Sequence, residues 1–452
     1  MPMTKDTKTA PQAILETLIR DAKAAGAEAV DALMYESISN SVSVRLGAVE
    51  EVERSENRDL GLRVIIGQQQ ASVSTTDFSP ASLKEAAERC VAMARAAPED
   101  KWCGLAPAER LAKGPYPDLD LFDQQEPSTE KLKETAIACE DAARAVEGVT
   151  NSSGAGASYG SGASWFATSH GFYGESTGGS HSFSVSVLAG EGTGMERDYD
   201  YDASTHLCDL KSPEHVGRSA GERAVRRLNP QKLESQSAPV IFEQRLARSL
   251  IGKLAGAIHG GAIARGVSFL KDKMGEQIFP ASLNVIDDPL RKRGFGSSHF
   301  DGEGVTNEKL HVIENGRLTC WLLNSAHARQ LGLESNGRAT RGTGGPPGAG
   351  TTNFYLEPGD LSVDALLRET GSGLYLTDMF GPQVNQNTGD YSVGCSGFWI
   401  AGGEITHPVS EITIAGNLHE MFASLTPAND LLFKGSTSSP TLRVENMTIA
   451  GS

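Results

Sequence analysis

Apolar residues recur along this chain with two periods, and the switch between them divides it into elements. Ile14, Leu18 and Ala22 share one face of a helix predicted over residues 11–25, closed by Gly26. Across residues 31–46 the period becomes two. Val42, Val44 and Leu46 alternate with Ser41, Ser43 and Arg45, the mark of a half-buried strand. Residues 60–66 and 70–74 continue this as a meander. Ser79-Pro80 opens a second helix over 81–97, with proline in the first turn, where its missing N–H costs nothing. A proline-rich connector fills 98–117. Ser128 or Thr129 caps a third helix reaching residue 145.

From 149 to 196 the chain turns to glycine and serine with alternating aromatics. Segments 164–169 and 181–190 read as antiparallel strands with small exposed faces, followed by a helix over 215–228. The polar stretch 233–239 marks a domain boundary. The second half opens with a strand at 240–242. A helix over 242–258 follows, with Leu246, Leu250, Leu254 and Ile258 recurring every four residues. Gly260 and Gly261 are expected to end it in a left-handed turn. Beyond it lie a hairpin over 310–322 turning at Asn315-Gly316, a helix over 361–370, a hairpin over 398–405 turning at 401–403, and a strand over 441–449. The expected fold class is α+β in two domains. Residues 1–234 place helices on antiparallel strands, and 235–452 form a β-rich unit, barrel-like or sandwich-like.

Charge narrows the functional classes. Asp and Glu number 57 against 41 Lys and Arg, for a net charge of -16. Such an acidic surface disfavours nucleic acid and anionic lipid as partners. The six cysteines are scattered without a C-x-x-C pair, which suits reduced thiols in a cytoplasm. The first residues lack the apolar core of a signal peptide, and no apolar run is long enough to cross a membrane. A soluble cytoplasmic protein is expected.

Several local patterns invite chemistry. The glycine-rich run 341–350 lacks G-x-x-x-x-G-K-[ST], carries two prolines and precedes no helix, so it is not a phosphate loop. Residues 156–160 match G-x-S-x-G around Ser158, but the surroundings are β rather than a strand-to-helix elbow. His299 and Asp301, with Asp287, Asp288 and Glu303, form an acidic group read as solvated surface or a cation site. His259 follows the helix over 242–258 and has no second His or Glu four or five residues on.

The longest ordered patterns lie late in the chain: N-x-x-T-G-D-Y-S at 385–392, G-F-W-I at 397–400, E-I-T-I-A-G-N at 411–417 and L-R-V-E-N-M-T-I-A-G at 442–451. With residues 265–280, they resemble the TldD/PmbA family, also called the modulator of DNA gyrase family. The likeness is weak before residue 150 and strong after 239. In the TldD branch, a helix carries an H-E-x-x-x-H metal site. Registered on Arg265-Gly266, its three functional positions fall at Ile251, Gly252 and Gly256, none of which can bind zinc or act as a base. The family's third ligand is a late cysteine, and none follows Cys395 here. The chain therefore resembles the PmbA (TldE) branch, which lacks the metal motif.

That resemblance implies a heterodimer with a TldD-type metalloprotease subunit, which supplies the zinc, while this chain holds no cofactor and no catalytic residue. Unfolded peptides are the implied substrate, and a homodimer is expected in isolation. Thr351, Thr352, Asn353 and Tyr355 resemble a segment lining the family's cleft. With Gly394 and Gly397 they are expected to offer a sheet edge to an extended peptide. Two other readings stay open. One is a stand-alone peptidase with a noncanonical metal or serine site. The other is a non-enzymatic regulator of a gyrase or toxin–antitoxin system.

Overall fold

The computed structural model describes residues 9–451. Its first half is one antiparallel sheet of β1 (Ala29–Arg45), β2 (Ala48–Ile66), β3 (Gln69–Thr75), β4 (Val149–Thr168), β5 (Tyr173–Ala189) and β6 (Glu196–Ser204), ordered β3-β2-β1-β4-β5-β6. Four helices cover one face. α1 (Thr9–Ala24) and α2 (Pro80–Ala96) pack Leu15, Leu18 and Leu83 against Met34, Leu62 and Trp165. α3 (Thr129–Arg144) and α4 (Pro213–Arg226) pack Leu132, Ala136 and Val216 against Val42, Phe183 and Val185. Each large apolar side chain buried this way contributes about 1.5–3 kcal/mol. α4 lies close on α3 because Gly217 has no side chain; a Cβ there would overlap the Cys139 carbonyl. Buried Glu140 of α3 accepts the N–H groups of Leu46 and Gly47, both at 2.8 Å, and so pins the β1–β2 turn.

Three strands run longer than the pattern predicts. β2 begins at Ala48, although residues 48–59 are mostly exposed and highly charged. Its ladder to β1 runs from Ala29↔Ile65 to Arg45↔Ala48 with one bulge between Ser43 and Val44, so backbone pairing extends it without a buried face. β4 and β5 likewise form one long hairpin from Val149↔Ala189 to Ala167↔Tyr173.

The second half adds β7 (Gln236–Phe242), β8 (Val285–Asp287), β9 (Leu310–Glu314), β10 (Arg317–Leu318), β11 (Ala339–Thr340), β12 (Gly348–Ala349), β13 (Phe354–Leu356), β14 (Ser372–Val384), β15 (Asp390–Ala401), β16 (Glu404–Asn417), β17 (Thr426–Pro427), β18 (Thr437–Ser438) and β19 (Leu442–Ala450). Strands β16-β15-β14-β7-β19 close into a five-stranded barrel through Ile414↔Ile449 between β16 and β19. The α+β class holds, and the β-rich unit is a barrel rather than a sandwich. Helices α5 (Gln244–Ala257), α6 (Gly260–Ala264), α7 (Ser325–Leu331), α8 (Val363–Thr370) and α9 (Leu418–Ala423) surround it. Both turns read from sequence form: Asn315 and Gly316 have φ of 49° and 76°, and Gly402 and Gly403 have 61° and 81°.

The two halves meet at a buried ionic network. Asp198 of β6 receives Arg245 of α5 at 3.1 Å and Arg227, just after α4, at 3.4 Å. Arg245 also grips Glu243 at 2.9 Å, and Arg227 reaches Asp378 of β14 at 3.2 Å and Ser396 Oγ at 2.6 Å. Burial works against the Arg245 charge, but Glu243 and Asp198 outweigh it and its pKa rises. A second brace is the glycine-rich run. Arg341 reaches across to fully buried Asp31 at 3.0 Å, and Gly61 leaves room for the Thr343 backbone. The run is thus an anchored loop between β11 and β12.

Removing one member of such a buried network strands the others. Asp198→Ala is expected to lower stability by about 3–5 kcal/mol in chemical denaturation. A loss below about 1 kcal/mol contradicts a stabilising role for the network.

Candidate functional site

Helix α5 buries Ala247, Leu250, Ile251, Leu254 and Ala257 in the core that also fills the barrel. Ile251 is fully buried, while Gly256 is exposed and a Cβ at Gly252 would meet nothing within 4 Å. One motif position is thus a core side chain, and the other two lie on the helix face turned to open space. The glycines after the helix do not end it as expected. α5 stops at Ala257, and His259 then caps the short helix α6, its Nδ1 accepting the Gly261 N–H at 3.0 Å. Gly260 and Gly261 are small because α6 packs on the Leu322 backbone and the His327 side chain.

His259 has a neighbour that its sequence surroundings do not reveal. The His327 ring stands edge-on to it at 5.8 Å between centroids. Burial, then His259 and Arg265, lower the His327 pKa. Among the described residues no group of three or more His, Cys, Asp or Glu is arranged to hold a metal.

The cleft residues read from sequence do not form a sheet edge. Gly394 and Gly397 sit in β15, which pairs with β14 on one side and β16 on the other, so its backbone groups are already used. A side chain at Gly397 would overlap the Tyr375 carbonyl, and one at Gly394 would meet the Phe380 ring. These glycines permit barrel packing. The segment around Thr351 is also internal, since β13 lies between β8 and β18. Thr352 donates to Asp287 through N at 2.8 Å and Oγ1 at 2.9 Å. Buried Asn353 spends its amide on Gly296, Asp288 and Ser297. Tyr355 packs edge-on against Phe433.

The acidic group is not a single cluster: Asp287, Asp301 and Glu303 are buried, while Asp288 and His299 are partly exposed. Asp287 is fully buried and paired with fully buried Arg338. His299 stacks on Tyr116 and bonds the Pro117 carbonyl. Asp288 accepts the Leu290 N–H. Asp301 accepts the N–H groups of Glu303, Val305 and Ala339, each at 2.9 Å, and Glu303 accepts that of Ser325. Burial, reinforced by Glu303, pushes the Asp301 carboxyl up to about 7 against those three donors.

Open space lies on the sheet face that the four helices leave free. A cavity of about 510 Å³ is floored by Ser41, Ser158, Ser182 and Ser184 and walled by Tyr199, Tyr201 and Arg248. A second, of about 520 Å³, continues along the same face over Ser39, Gly160, Gly178 and Ser180 toward Phe295. Ser158 lies within β4, not at a strand-to-helix elbow, and its hydroxyl shares a 2.8 Å hydrogen bond with Ser182 rather than with a base, although Glu51 lines the same cavity. Sequence reasoning passed over Tyr199, Tyr201 and Arg248. The alternation of Asp and Tyr over 198–202 was the available signal. It sends Asp198 toward the network and the tyrosines toward the cavity.

Three family models match in order: the PmbA/TldA metallopeptidase domain 1 over residues 30–94, its central domain over 122–228 and its C-terminal domain over 235–451. A protein named metalloprotease PmbA from Escherichia coli O157:H7 is 40% identical over 413 residues, covering 91% of this chain and 90% of that one. This chain belongs to the PmbA/TldA metallopeptidase family. A metalloprotease PmbA homolog from Haemophilus influenzae is 37% identical over 414 residues, covering 91% and 90%. The crystal structure of a candidate modulator of DNA gyrase from Bacteroides thetaiotaomicron superposes with a TM-score of 0.90 at 26% identity, covering 99% of this chain and 100% of that one. TldE from Thermococcus kodakarensis shares the fold, with a TM-score of 0.87 at 23% identity over 97% of this chain and 100% of its own.

The family name implies a metal, and the residues at the motif positions do not fit one. Ile251, Gly252 and Gly256 present no donor atom, and His259 with His327 makes two imidazoles, one fewer than a catalytic zinc site needs.

Asp301 yields a pH prediction. Its unfolded pKa is 3.8 and its folded value about 7, so the folded chain holds a proton that the unfolded chain releases between them. Its contribution to stability falls as pH rises from about 4 to 7. The stability of the parent chain relative to Asp301→Asn, measured by denaturant midpoint, is expected to drop over that range. A difference that grows with pH contradicts this.

Proposed function

We propose that this chain is the subunit without a metal site in a TldD-type cytoplasmic metalloprotease heterodimer that degrades or trims unfolded peptides. The observation that carries the reading is the state of α5. The positions that the resemblance aligns with the TldD-branch metal motif hold a core isoleucine and two glycines, yet the helix keeps one face packed in an intact barrel core. Relatives named metalloprotease PmbA support a place in proteolysis. In this reading the metal, the attacking water and the base belong to the partner. This chain contributes the wall of the chamber. The uncovered serine and glycine face of the first sheet, with Tyr199, Tyr201 and Arg248 at its rim, replaces the sheet edge as the peptide-facing surface. Its hydroxyls and small side chains make few demands on sequence, which suits unfolded chains.

A cytoplasmic setting agrees with six free cysteines. Burial pushes Cys90 up to about 11, and Cys139 and Cys395 up to about 12, which keeps those thiols protonated and unreactive. No helix among the described residues is long and apolar enough to cross a membrane. The gyrase modulator role in the name of one structural neighbour finds little support in a surface of net charge -16, which repels DNA.

The test is cleavage of an unfolded peptide by the purified chain, alone and co-expressed with the TldD-type chain of the same organism. The chain alone is expected to show under about 1% of the complex's rate. Comparable chelator-sensitive cleavage by the chain alone overturns the reading, and so does a failure of the two chains to copurify.

A further inference from the structure

A cavity of about 400 Å³ lies between the two halves, apart from α5, and adjoins the end of the open serine and glycine face at Gly294 and Phe295. It is bounded by β6 and the segment reaching Lys211, by residues 291–295 and by residues 432–435. Lys211, Arg291, Lys292, Arg293 and Lys434 all line it, in a chain whose net charge is -16. Two carboxylates line it as well, and both are engaged. Asp209 pairs with Arg293 at 2.7 Å, while Asp202 pairs with Lys434 at 3.2 Å and accepts the Lys211 N–H at 2.7 Å. Arg293 is further held by Asp120 at 2.6 Å. Among the described residues, Arg291, Lys292 and the Lys211 ammonium have no carboxylate within ion-pair distance.

Arg291 is the organised member of this group. It is half-buried, its guanidinium lies 3.3 Å over the Phe433 ring, and Phe433 is held edge-on by Tyr355 at 5.1 Å. A guanidinium stacked by its face leaves the N–H donors in its plane free, and its side chain makes no hydrogen bond to any described residue. Burial lowers its pKa, and Tyr355 and Asp288, neither of them bonded to it, only partly offset that. A rigid fork of donors beside two exposed ammonium groups matches a planar oxyanion that accepts two parallel N–H bonds. The remaining wall includes Ala203, Gly294, Phe295 and Leu432, with space for a small apolar group beside the anion. Asn353 also faces the cavity, with its amide already spent on neighbouring residues.

We infer that this cavity is a binding site for the carboxylate of a peptide, received by Arg291 in bidentate fashion and flanked by Lys292 and Lys211. The choice of a peptide over a free oxyanion rests on the proposed role in peptide handling. The carboxylate is either a C-terminus or an acidic side chain, and the two present the same planar group.

The test is calorimetric titration of the purified chain, which needs no protease partner. Four probes are used: an acetylated Gly/Ser/Ala hexapeptide with a free C-terminus, its C-terminal amide, the amide with one Asp in place of Ser, and inorganic phosphate. The free acid or the Asp peptide is expected to bind at least about tenfold more tightly than the neutral amide, and whichever binds identifies the source of the carboxylate. Arg291→Gln is expected to abolish that preference, and exposed Lys292→Gln to weaken it severalfold with an unchanged melting temperature. Equal binding of all three peptides, or no binding, overturns the inference. So does a preference that survives in both variants. Phosphate binding that Arg291→Gln abolishes, without peptide binding, overturns the peptide assignment. Peptide cleavage by the heterodimer is measured separately. A silent heterodimer with intact carboxylate binding refutes the proposed function and leaves the site; active cleavage without carboxylate binding does the reverse.

Discussion

Asp198 stands where the last strand of the first sheet, the end of α4 and the start of α5 converge, and two buried arginines depend on it. Burying charge is favourable only when every group is paired and hydrogen-bonded. Here Arg245 has Glu243 and the Tyr199 carbonyl beside Asp198, and Arg227 has Asp378 and Ser396 of the barrel. The network therefore fixes the register of the two halves more sharply than apolar contact could. The cavities over the free sheet face and between the halves are defined only while that register holds. The Asp31–Arg341 pair repeats the device at the glycine-rich loop.

Much of this architecture was legible from the residues, and the gaps have physical reasons. Period-four stripes and capping serines located the helices, and Asn315-Gly316 located a turn, because each depends on neighbours in sequence. The charged beginning of β2 was invisible because its ladder with β1 needs no buried face. Gly260 and Gly261 look like a helix stop in sequence, yet they serve close packing on Leu322 and His327, a contact more than sixty residues away. The acidic residues from 287 to 303 read as surface, since nothing local announces Arg338 or the backbone donors that bury them. The candidate sheet edge failed for a more local reason: β14 and β16, the strands beside β15 in sequence, occupy both of its edges.

The positions that the resemblance aligns with the metal motif sit on a packed scaffold. Leu250, Ile251 and Leu254 anchor α5 in the barrel core, and Gly252 and Gly256 leave its outer face bare. In the proposed assembly that bare face, Arg248 and the serine-paved sheet are surface offered to a partner and a peptide.

The most direct measurement is metal stoichiometry by mass spectrometry of the native heterodimer and of each chain alone. The account predicts one zinc per pair, none on this chain by itself, and no change in the pair when His259 and His327 are both replaced by alanine. A zinc ion retained by this chain alone, or lost from the pair with those two histidines, would contradict it.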